Sequence, residues 1–240
     1  MSRLTKLQEE LADLLLNTKI EAKVIKRVKK EDDSYYLEET SKLTSPIDFA
    51  NVPGEFALKI HEQNLDAPLS PIYVNLRNLP EKVLLKIAQV LSEVKLDTRQ
   101  DCCTGIPQAA VIIAKKYSQV KDLPFMDVFE KIGVNTDRNI VIKEGVKVKK
   151  DTRLLVIDDV IAHGKSKLEA LNSAKKVGFY VNMLVLIDRE QGGVEQIEKE
   201  KCRVYAAIRL TDILDYYLEK NMIIKKLYED TVDYLKKSRI

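Results

Sequence analysis

Two adjacent carboxylates, followed by a short loop that ends in glycine, lysine and serine, form the most chemically suggestive stretch of this chain. The stretch reads Leu154-Leu-Val-Ile-Asp158-Asp159-Val-Ile-Ala162-His163-Gly164-Lys165-Ser166. The apolar run before the acids is typical of a buried strand, and the apolar spacing after Ser166 predicts a helix. Ligands of open α/β sheets bind beyond the carboxyl ends of the strands, so these residues lie where a ligand is expected.

The loop suits a phosphate group, because the N-terminus of a helix offers free backbone N–H groups and the positive end of the helix dipole. Gly164 permits close approach of the backbone, Ser166 offers a hydroxyl and Lys165 adds a positive charge. The adjacent Asp158 and Asp159 repel a phosphate, but they could hold sugar hydroxyls or help to bind Mg²⁺. The stretch therefore predicts a site for a sugar phosphate.

The elements around this stretch predict an α/β fold, because apolar strands alternate with helices and such strands form a parallel sheet covered on both faces. Strands are expected near residues 71–76, 154–157, 181–187 and 203–208, and helices near 4–17, 81–94, 109–117, 166–177 and 211–237, the last capped by Thr211. Helices within residues 1–30 and 210–240 are expected as additions to the core.

Composition excludes several classes of protein. Lys and Arg total 40 against 37 Asp and Glu, and the net charge of +3 argues against a nucleic-acid partner. No apolar run reaches the roughly 18 residues of a membrane span, so no membrane partner is expected. Three cysteines without a CxxC pair and two histidines argue against structural zinc and favour a cytoplasmic location. The basic run within residues 19–30 is interpreted as a solvated face, with nucleic-acid binding the less favoured alternative.

The strand, Asp-Asp pair and loop resemble the phosphoribosyl diphosphate (PRPP) signature of the type I phosphoribosyltransferases. Further segments are similar to those of the orotate phosphoribosyltransferases and follow the same order over about residues 50–215. They are Gly54-Glu-Phe-Ala-Leu-Lys59, Ser70-Pro-Ile-Tyr73-Val-Asn75-Leu-Arg77, Gly105-Ile-Pro107-Gln-Ala-Ala110 and Leu186-Ile-Asp188-Arg189-Glu190-Gln191-Gly192-Gly193.

This resemblance implies the type I phosphoribosyltransferase fold, with a twisted, mainly parallel sheet of about five strands flanked by helices. A small N-terminal hood, at about residues 40–80, would close over the base. The expected division is 1–95 for the N-terminal helices and hood, and 96–240 for the core with its C-terminal helices. Members of the family are usually homodimers, so a homodimer is expected here.

The resemblance also implies roles for individual residues. PRPP, carrying Mg²⁺ on its pyrophosphate, would contact Lys59, Thr104, Gly105, Asp158, Asp159, Ala162, His163, Gly164, Lys165 and Ser166. Orotate or a related base would contact Tyr73 and Arg189. Asp158, Asp159 and Lys131 would be the catalytic residues, and no protein ligand to the metal is assigned. The alternatives are a helix-capping turn for the Asp pair, a surface ion pair for Arg189, core packing for Tyr73 and a solvated lysine for Lys59.

The sequence departs from the family pattern in three places. Ahead of Gly105 the family often has lysine, where this chain has Thr104. The phosphate loop reads Ala162-His163-Gly164-Lys165-Ser166, where the family has more hydroxyl residues. The stretch 127–133 keeps only Glu130, Lys131 and Gly133 of the mobile loop whose cations neutralise the departing pyrophosphate. Two hypotheses follow. One is an enzyme that draws cations from Lys131, Lys143, Lys147 or a partner chain, and the other is a weakly active or inactive PRPP- or nucleotide-binding protein with a regulatory role.

Overall fold

The structure is a computed structural model that describes residues 3–50, 56–58, 61, 64–133 and 138–239. The elements of the first half are α1 (Lys6–Asn17), β1 (Ile20–Lys29), β2 (Tyr35–Thr44), β3 (Ile47–Phe49), β4 (Ile72–Val74), α2 (Glu81–Ser92), β5 (Cys102–Gly105) and α3 (Ala109–Lys121). Those of the second half are β6 (Phe129–Ile132), β7 (Asn139–Ile142), β8 (Arg153–Ile161), α4 (Lys165–Lys176), β9 (Tyr180–Asp188), α5 (Gly193–Lys199), β10 (Val204–Arg209), α6 (Leu210–Glu219) and α7 (Lys225–Lys237).

The central sheet has the strand order β10-β9-β8-β5, and every neighbouring pair is parallel. The predicted α/β class and the parallel sheet flanked by helices are confirmed. Within the described residues the sheet has four full strands instead of about five. Phe125 adds one parallel bridge to Cys103 beyond β5, at the position that a fifth strand would occupy.

Side chains of the central strands point alternately into two apolar clusters, one on each face of the sheet. In β8, Leu155 and Ile157 belong to an apolar cluster that includes residues of α1, α2, α3 and α6. Leu154 and Val156 belong to a second cluster with residues of α4, α5 and the β6–β7 hairpin. Because successive side chains of a strand point to opposite faces, this pattern makes β8 a fully buried strand between two helical layers.

The N-terminal region corrects one prediction. Residues 20–29 form β1 and pair antiparallel with β2, so the helices expected across residues 1–30 are confined to α1. Side chains of β1 alternate between buried and exposed over its first five residues, which is the burial pattern of a strand that covers a core on one side. Lys23 lies 2.6 Å from Glu39 across the hairpin, so part of the basic run is neutralised by β2.

The hood of the molecule consists of this hairpin, the short β3–β4 pair and residues 56–57. Ala57 forms an antiparallel bridge with Ile25, and Phe56 forms one with Ser70. Ile47 of β3 lies in the same apolar cluster as the helices on one face of the central sheet. Residues from both predicted domains thus share a core, and the division at residue 95 stays a prediction.

The C-terminal region forms two helices, α6 and α7, rather than one. Helix α6 begins at Leu210, and the Glu190 carboxylate accepts a hydrogen bond from the Thr211 N–H at 3.2 Å. The predicted capping role of Thr211 is therefore wrong, since the cap comes from the loop after β9. No helix among the described residues has the length and apolar character needed to span a bilayer.

Candidate functional site

The two adjacent acids lie at the carboxyl edge of the central sheet, near the end of β8. The strand continues to Ile161, past the predicted end at residue 157, so both acids belong to it. Asp158 is 4% exposed and faces α4, whereas Asp159 is partly exposed. The N–H of Val160 donates a 2.7 Å hydrogen bond to the Asp159 carboxylate, which fixes the direction of that side chain.

A lysine that the sequence did not single out meets this pair. Lys167 is the third residue of α4, and its Nζ lies 3.0 Å from Oδ2 of Asp158. The side chains are 16% and 6% exposed, so this is a buried ion pair. A lysine two residues after Lys165 at the start of a helix has no distinguishing sequence signal, and only the packing of α4 against β8 reveals its partner.

The electrostatics of the acids follow from burial and proximity. Burial, and then the neighbouring charge of Asp158, raise the pKa of Asp159 to about 7. Burial opposes the charge on Lys167, yet the carboxylates of Asp158 and Asp159 raise its pKa overall. The three side chains therefore interact as one cluster, in which the ammonium of Lys167 opposes the negative charge of the two acids.

The loop between β8 and α4 is short and packed against α5. Helix α4 begins at Lys165, and its N-cap residue, Gly164, has no side chain that could cap it. The first-turn N–H groups of such a helix have no intrahelical acceptors, which suits an anion. The N–H of Gly164 itself donates to Oε1 of Gln196 at 2.8 Å, so one amide of the loop is already engaged. Gln196 is a second contact that no sequence pattern indicated.

Two backbone hydrogen bonds join this loop to the one after β9. The N–H of Arg189 donates to the Ile161 carbonyl at 2.8 Å, and the N–H of Gly193 donates to the Ala162 carbonyl at 3.0 Å. A Cβ atom at Gly193 would lie 2.8 Å from that same carbonyl oxygen, so only glycine allows this approach. The structure thus brings two of the predicted segments together at the sheet edge.

Arg189 is 6% exposed and lies beneath the end of α7. Burial lowers the pKa of Arg189, and the nearby Tyr234 hydroxyl offsets part of this effect. Four buried polar atoms in this cluster have no hydrogen-bond partner among the described residues: Arg189 Nε, Arg189 Nη2, Gln191 Oε1 and His163 Nδ1. Burial, and then the positive charge of Arg189, lower the pKa of His163. We call His163, Arg189 and Gln191 the arginine cluster.

The end of β5 places Thr104 and Gly105 next to β8. Thr104 is 1% exposed, and its hydroxyl oxygen lies 3.5 Å from the N–H of Val128, just before β6. Gly105 has no room for a side chain, since a Cβ atom would collide with the carbonyl group of Ala110 at the start of α3. The loop after β5 can therefore bring only backbone groups close to a ligand at Gly105.

The stretch expected to replace the mobile loop is an antiparallel hairpin of β6 and β7. Lys131 lies in β6 opposite Ile140, and its side chain is exposed. Lys143 forms an ion pair with Asp127, which limits its use as a free cation. Lys147 is exposed.

Tyr73, which the resemblance assigns to the base, lies in strand β4 of the hood. Tyr73 donates its hydroxyl to the Lys23 carbonyl at 2.9 Å and stacks on Phe56 with ring centroids 5.4 Å apart. Burial raises the pKa of Tyr73. Lys59 lies outside the described residues.

A cavity of about 760 Å³ lies at the other edge of the sheet. Its lining includes Arg153 and Tyr180, which are the first residues of β8 and β9. Since β8 and β9 are parallel, this cavity is on the side away from Asp158, and we do not associate it with the acids.

Comparison with known proteins gives relatives along most of the chain, although no family model matches it. An orotate phosphoribosyltransferase of Pyrobaculum aerophilum is 32% identical over 182 residues, which are 71% of this chain and 88% of the relative. An orotate phosphoribosyltransferase of Sulfolobus acidocaldarius is 28% identical over 177 residues, covering 71% of this chain and 86% of the relative.

The fold is also found in a solved structure, the UMP synthase of Leishmania donovani. The TM-score is 0.68 at 22% identity, and the match covers 96% of this chain but only 42% of the larger protein. At this identity the likeness supports the fold alone. It extends over nearly the whole chain, the N-terminal and C-terminal additions included.

Proposed function

Since this chain belongs to the orotate phosphoribosyltransferase family, we propose that it transfers ribose 5-phosphate from PRPP to orotate or a closely related base. The reaction belongs to pyrimidine nucleotide biosynthesis and yields a nucleoside monophosphate and pyrophosphate. The observation that carries the proposal is the placement of Asp158 and Asp159 at the carboxyl edge of the sheet, beside the uncapped start of α4.

This arrangement matches the two ends of a ribose phosphate. Carboxylates accept hydrogen bonds from sugar hydroxyls, so Asp158 and Asp159 would hold the 2′ and 3′ hydroxyls. The loop of residues 162–166 would surround the 5′-phosphate, where the first-turn amides of α4, the exposed Lys165 and the Ser166 hydroxyl favour an anion. Thr104 and Gly105, on the neighbouring strand β5, would lie against the pyrophosphate.

The base would bind at the other end of the ribose. Orotate carries a carboxylate, and Arg189 is a buried cation with two guanidinium nitrogens that have no partner in the part of the chain that the structure describes. Tyr73 would contact the base from the hood, on the side opposite the sheet, and Lys59 would reach the PRPP or orotate end. Lys131, in the β6–β7 hairpin, would approach the pyrophosphate when the substrate is bound.

The chemistry requires little acid–base work from the protein. The bond between C1′ and the pyrophosphate oxygen breaks with its electron pair leaving on pyrophosphate, and the ring nitrogen of the base forms the new bond to C1′. The state between them resembles an oxocarbenium ion. The side chains described above would therefore act by orienting the ribose, compensating charge and excluding water.

Mg²⁺ would enter with PRPP as part of the substrate. The described residues contain no group of three or more His, Cys, Asp or Glu side chains that could hold a metal. Oxygen atoms of the pyrophosphate are hard ligands that suit Mg²⁺, and the bound metal would offset the negative charge of the leaving group.

We further propose that the protein acts as a homodimer in the cytoplasm. Helices α2 and α3 pack together, and Leu85, Ile112 and Val120 are 44%, 44% and 38% exposed on them. An apolar surface of this kind supports association with a second copy. A dimer could also bring cations of the partner chain to the pyrophosphate, in addition to Lys131.

The test is to mix the protein with Mg²⁺-PRPP and orotate and to measure pyrophosphate release. We expect release with the wild type and with Asp151→Asn, an exposed control, and a large loss with Asp159→Asn. Calorimetric titration with Mg²⁺-PRPP accompanies the assay. Binding of PRPP without release of pyrophosphate would contradict the enzymatic proposal and favour the regulatory alternative.

A further inference from the structure

The Lys167–Asp158 pair is unusual for its position. A lysine in the first turn of a helix meets the positive end of the helix dipole, which disfavours a cation there. Lys167 nevertheless lies at that position, largely buried, with its Nζ 3.0 Å from Asp158 Oδ2. Burying a long, flexible lysine also costs rotamer entropy. The interaction with the acids must offset both effects.

The acids in turn need a cation. Asp158 and Asp159 are consecutive, and the charge of Asp158 already contributes to the raised pKa of Asp159. Two close carboxylates without a counter-ion tend to share a proton, and the protonated one then donates to its neighbour instead of accepting from a ligand. Among the described residues, Lys167 supplies the positive charge that acts on both acids.

We propose that Lys167 is a positioning residue for PRPP, which fixes the Asp158 carboxylate and leaves the outward oxygens of the acid pair available to the ribose hydroxyls. This inference rests on the proposed function, because it assigns Lys167 to the site that would hold the ribose. Lys167 would touch the acids and not the substrate, so its effect would pass through Asp158.

This role distinguishes Lys167 from the other basic residues near the loop. Lys165 is exposed at the first position of α4, where a lysine can meet a phosphate directly. Lys167 lies two residues further along α4, on the side that faces β8, and its charge is already paired with Asp158. Loss of Lys167 should therefore weaken the binding of PRPP and leave the binding of the base unchanged.

The experiment compares Lys167→Met, Lys167→Arg and the control Lys176→Met, which removes an exposed lysine at the other end of α4. For each protein we would measure the melting temperature, the Kd for Mg²⁺-PRPP by calorimetry, and separate KM values for PRPP and orotate. If Lys167→Met fails to fold, Lys167→Gln, which keeps a donor without the charge, takes its place.

We expect Lys167→Met to raise the Kd and KM for PRPP by about tenfold or more, as for a charged hydrogen bond. The KM for orotate should stay within about twofold, and Lys167→Arg should restore most of the PRPP affinity because it keeps the charge. The control should match the wild type.

Three results would overturn the inference: PRPP affinity of Lys167→Met within about twofold of wild type, equal changes in both KM values, or no advantage of arginine over methionine. A purely structural lysine would lower the melting temperature without separating the two KM values. Failure of the proposed function is distinguishable, because in that case the wild-type protein itself would not bind PRPP.

Discussion

The two ends of the candidate site differ in how their buried charges are paired. The ribose end contains Asp158, Asp159 and Lys167, and the other end is the arginine cluster. At the ribose end, the Asp158 carboxylate lies 3.0 Å from the Lys167 ammonium. In the arginine cluster, two guanidinium nitrogens of Arg189 have no hydrogen-bond partner among the described residues. Buried polar groups are nearly always satisfied in folded proteins, so the unpartnered donors require an explanation. The acids of the ribose end have a counter-ion before a substrate binds, although Asp158 Oδ2 has no hydrogen-bond partner among the described residues. No acid in that part of the chain pairs with Arg189.

This difference bears on the order of binding. The residues that follow α7 cover the arginine cluster, since Gln191 donates to the Ser238 hydroxyl at 2.6 Å. Arg239 then lies 2.5 Å from Glu195 of α5. A base with a carboxylate would supply the acceptors that Arg189 lacks, but it must first reach a buried group. The ribose end, by contrast, is built around partly exposed Asp159. We therefore expect PRPP to bind without the base.

The largest effect should come from removing the charges of the ribose end. Asp158→Asn and Asp159→Asn, combined with Lys167→Met so that no unpaired ammonium stays buried, should lower PRPP affinity roughly 100-fold through two lost charged hydrogen bonds. The melting temperature should change little, because the cluster is removed as a unit. Calorimetry and thermal unfolding measure both quantities. A PRPP affinity within about threefold of wild type would show that these three residues are not part of the PRPP site.

The second test addresses the arginine cluster. Arg189→Met should raise the KM for orotate about tenfold, as expected for loss of a buried charged contact, with a smaller change for PRPP. The melting temperature should hold or rise, because the substitution removes unpartnered buried donors. Arg203→Met, which removes an exposed arginine paired with Asp97, is the control. Equal loss of both substrates together with a large fall in melting temperature would make Arg189 structural.

The third test uses pH. The folded-state pKa of Asp159 is raised to about 7 from 3.8, so the folded state binds this proton more tightly than the unfolded state. The wild type therefore loses stability from this group as the pH rises from about 4 to about 7. Asparagine does not titrate, so the stability of Asp159→Asn relative to wild type should increase across that window.

Melting temperatures of Asp159→Asn and wild type over this pH range provide the measurement. Glu198→Gln, which changes an exposed acid on α5, is the control and should give a constant difference. A constant difference for Asp159→Asn as well would show that burial and Asp158 do not perturb this carboxyl.

The smallest effect is expected at Gln196, which links the two regions. Gln196→Ala leaves the Gly164 N–H without its acceptor, which should cost about 1 kcal/mol of unfolding free energy in the absence of ligand. The freed amide should strengthen PRPP binding by about twofold to threefold. Gln196→Glu keeps an acceptor but adds a negative charge, so it should weaken PRPP binding. If both variants change affinity in the same direction, Gln196 does not compete with the phosphate.

The sequence predicted the parts of this site that depend on local pattern. The apolar run before Asp158 predicted a buried strand, and the spacing after Ser166 predicted the helix that follows it. Lys167 and Gln196 could not be found in this way, because their partners come from packing of α4 on β8 and of α5 on the loop. The role of Arg189 toward the base stays a prediction, and its burial beneath α7 could not be predicted because that helix is more than 30 positions away in the sequence.

The N-terminal strand was missed for another reason. Ile20, Ala22 and Val24 alternate with polar residues, which is a strand signal of period two. The basic residues of the same run predict a solvated face, and this charge pattern does not distinguish a strand from a helix. Pairing with β2 then buries the apolar side and places Lys23 opposite the acidic strand.

The central claim is that the β8–α4 turn holds a ribose phosphate. A crystal structure of the protein with Mg²⁺-PRPP tests it most directly. We predict the 2′ and 3′ hydroxyls within hydrogen-bonding distance of the Asp158 and Asp159 carboxylates, the 5′-phosphate on the amides at the start of α4, and Lys167 still paired with Asp158. PRPP bound elsewhere, or a 5′-phosphate that makes no contact with residues 162–166, would contradict the claim.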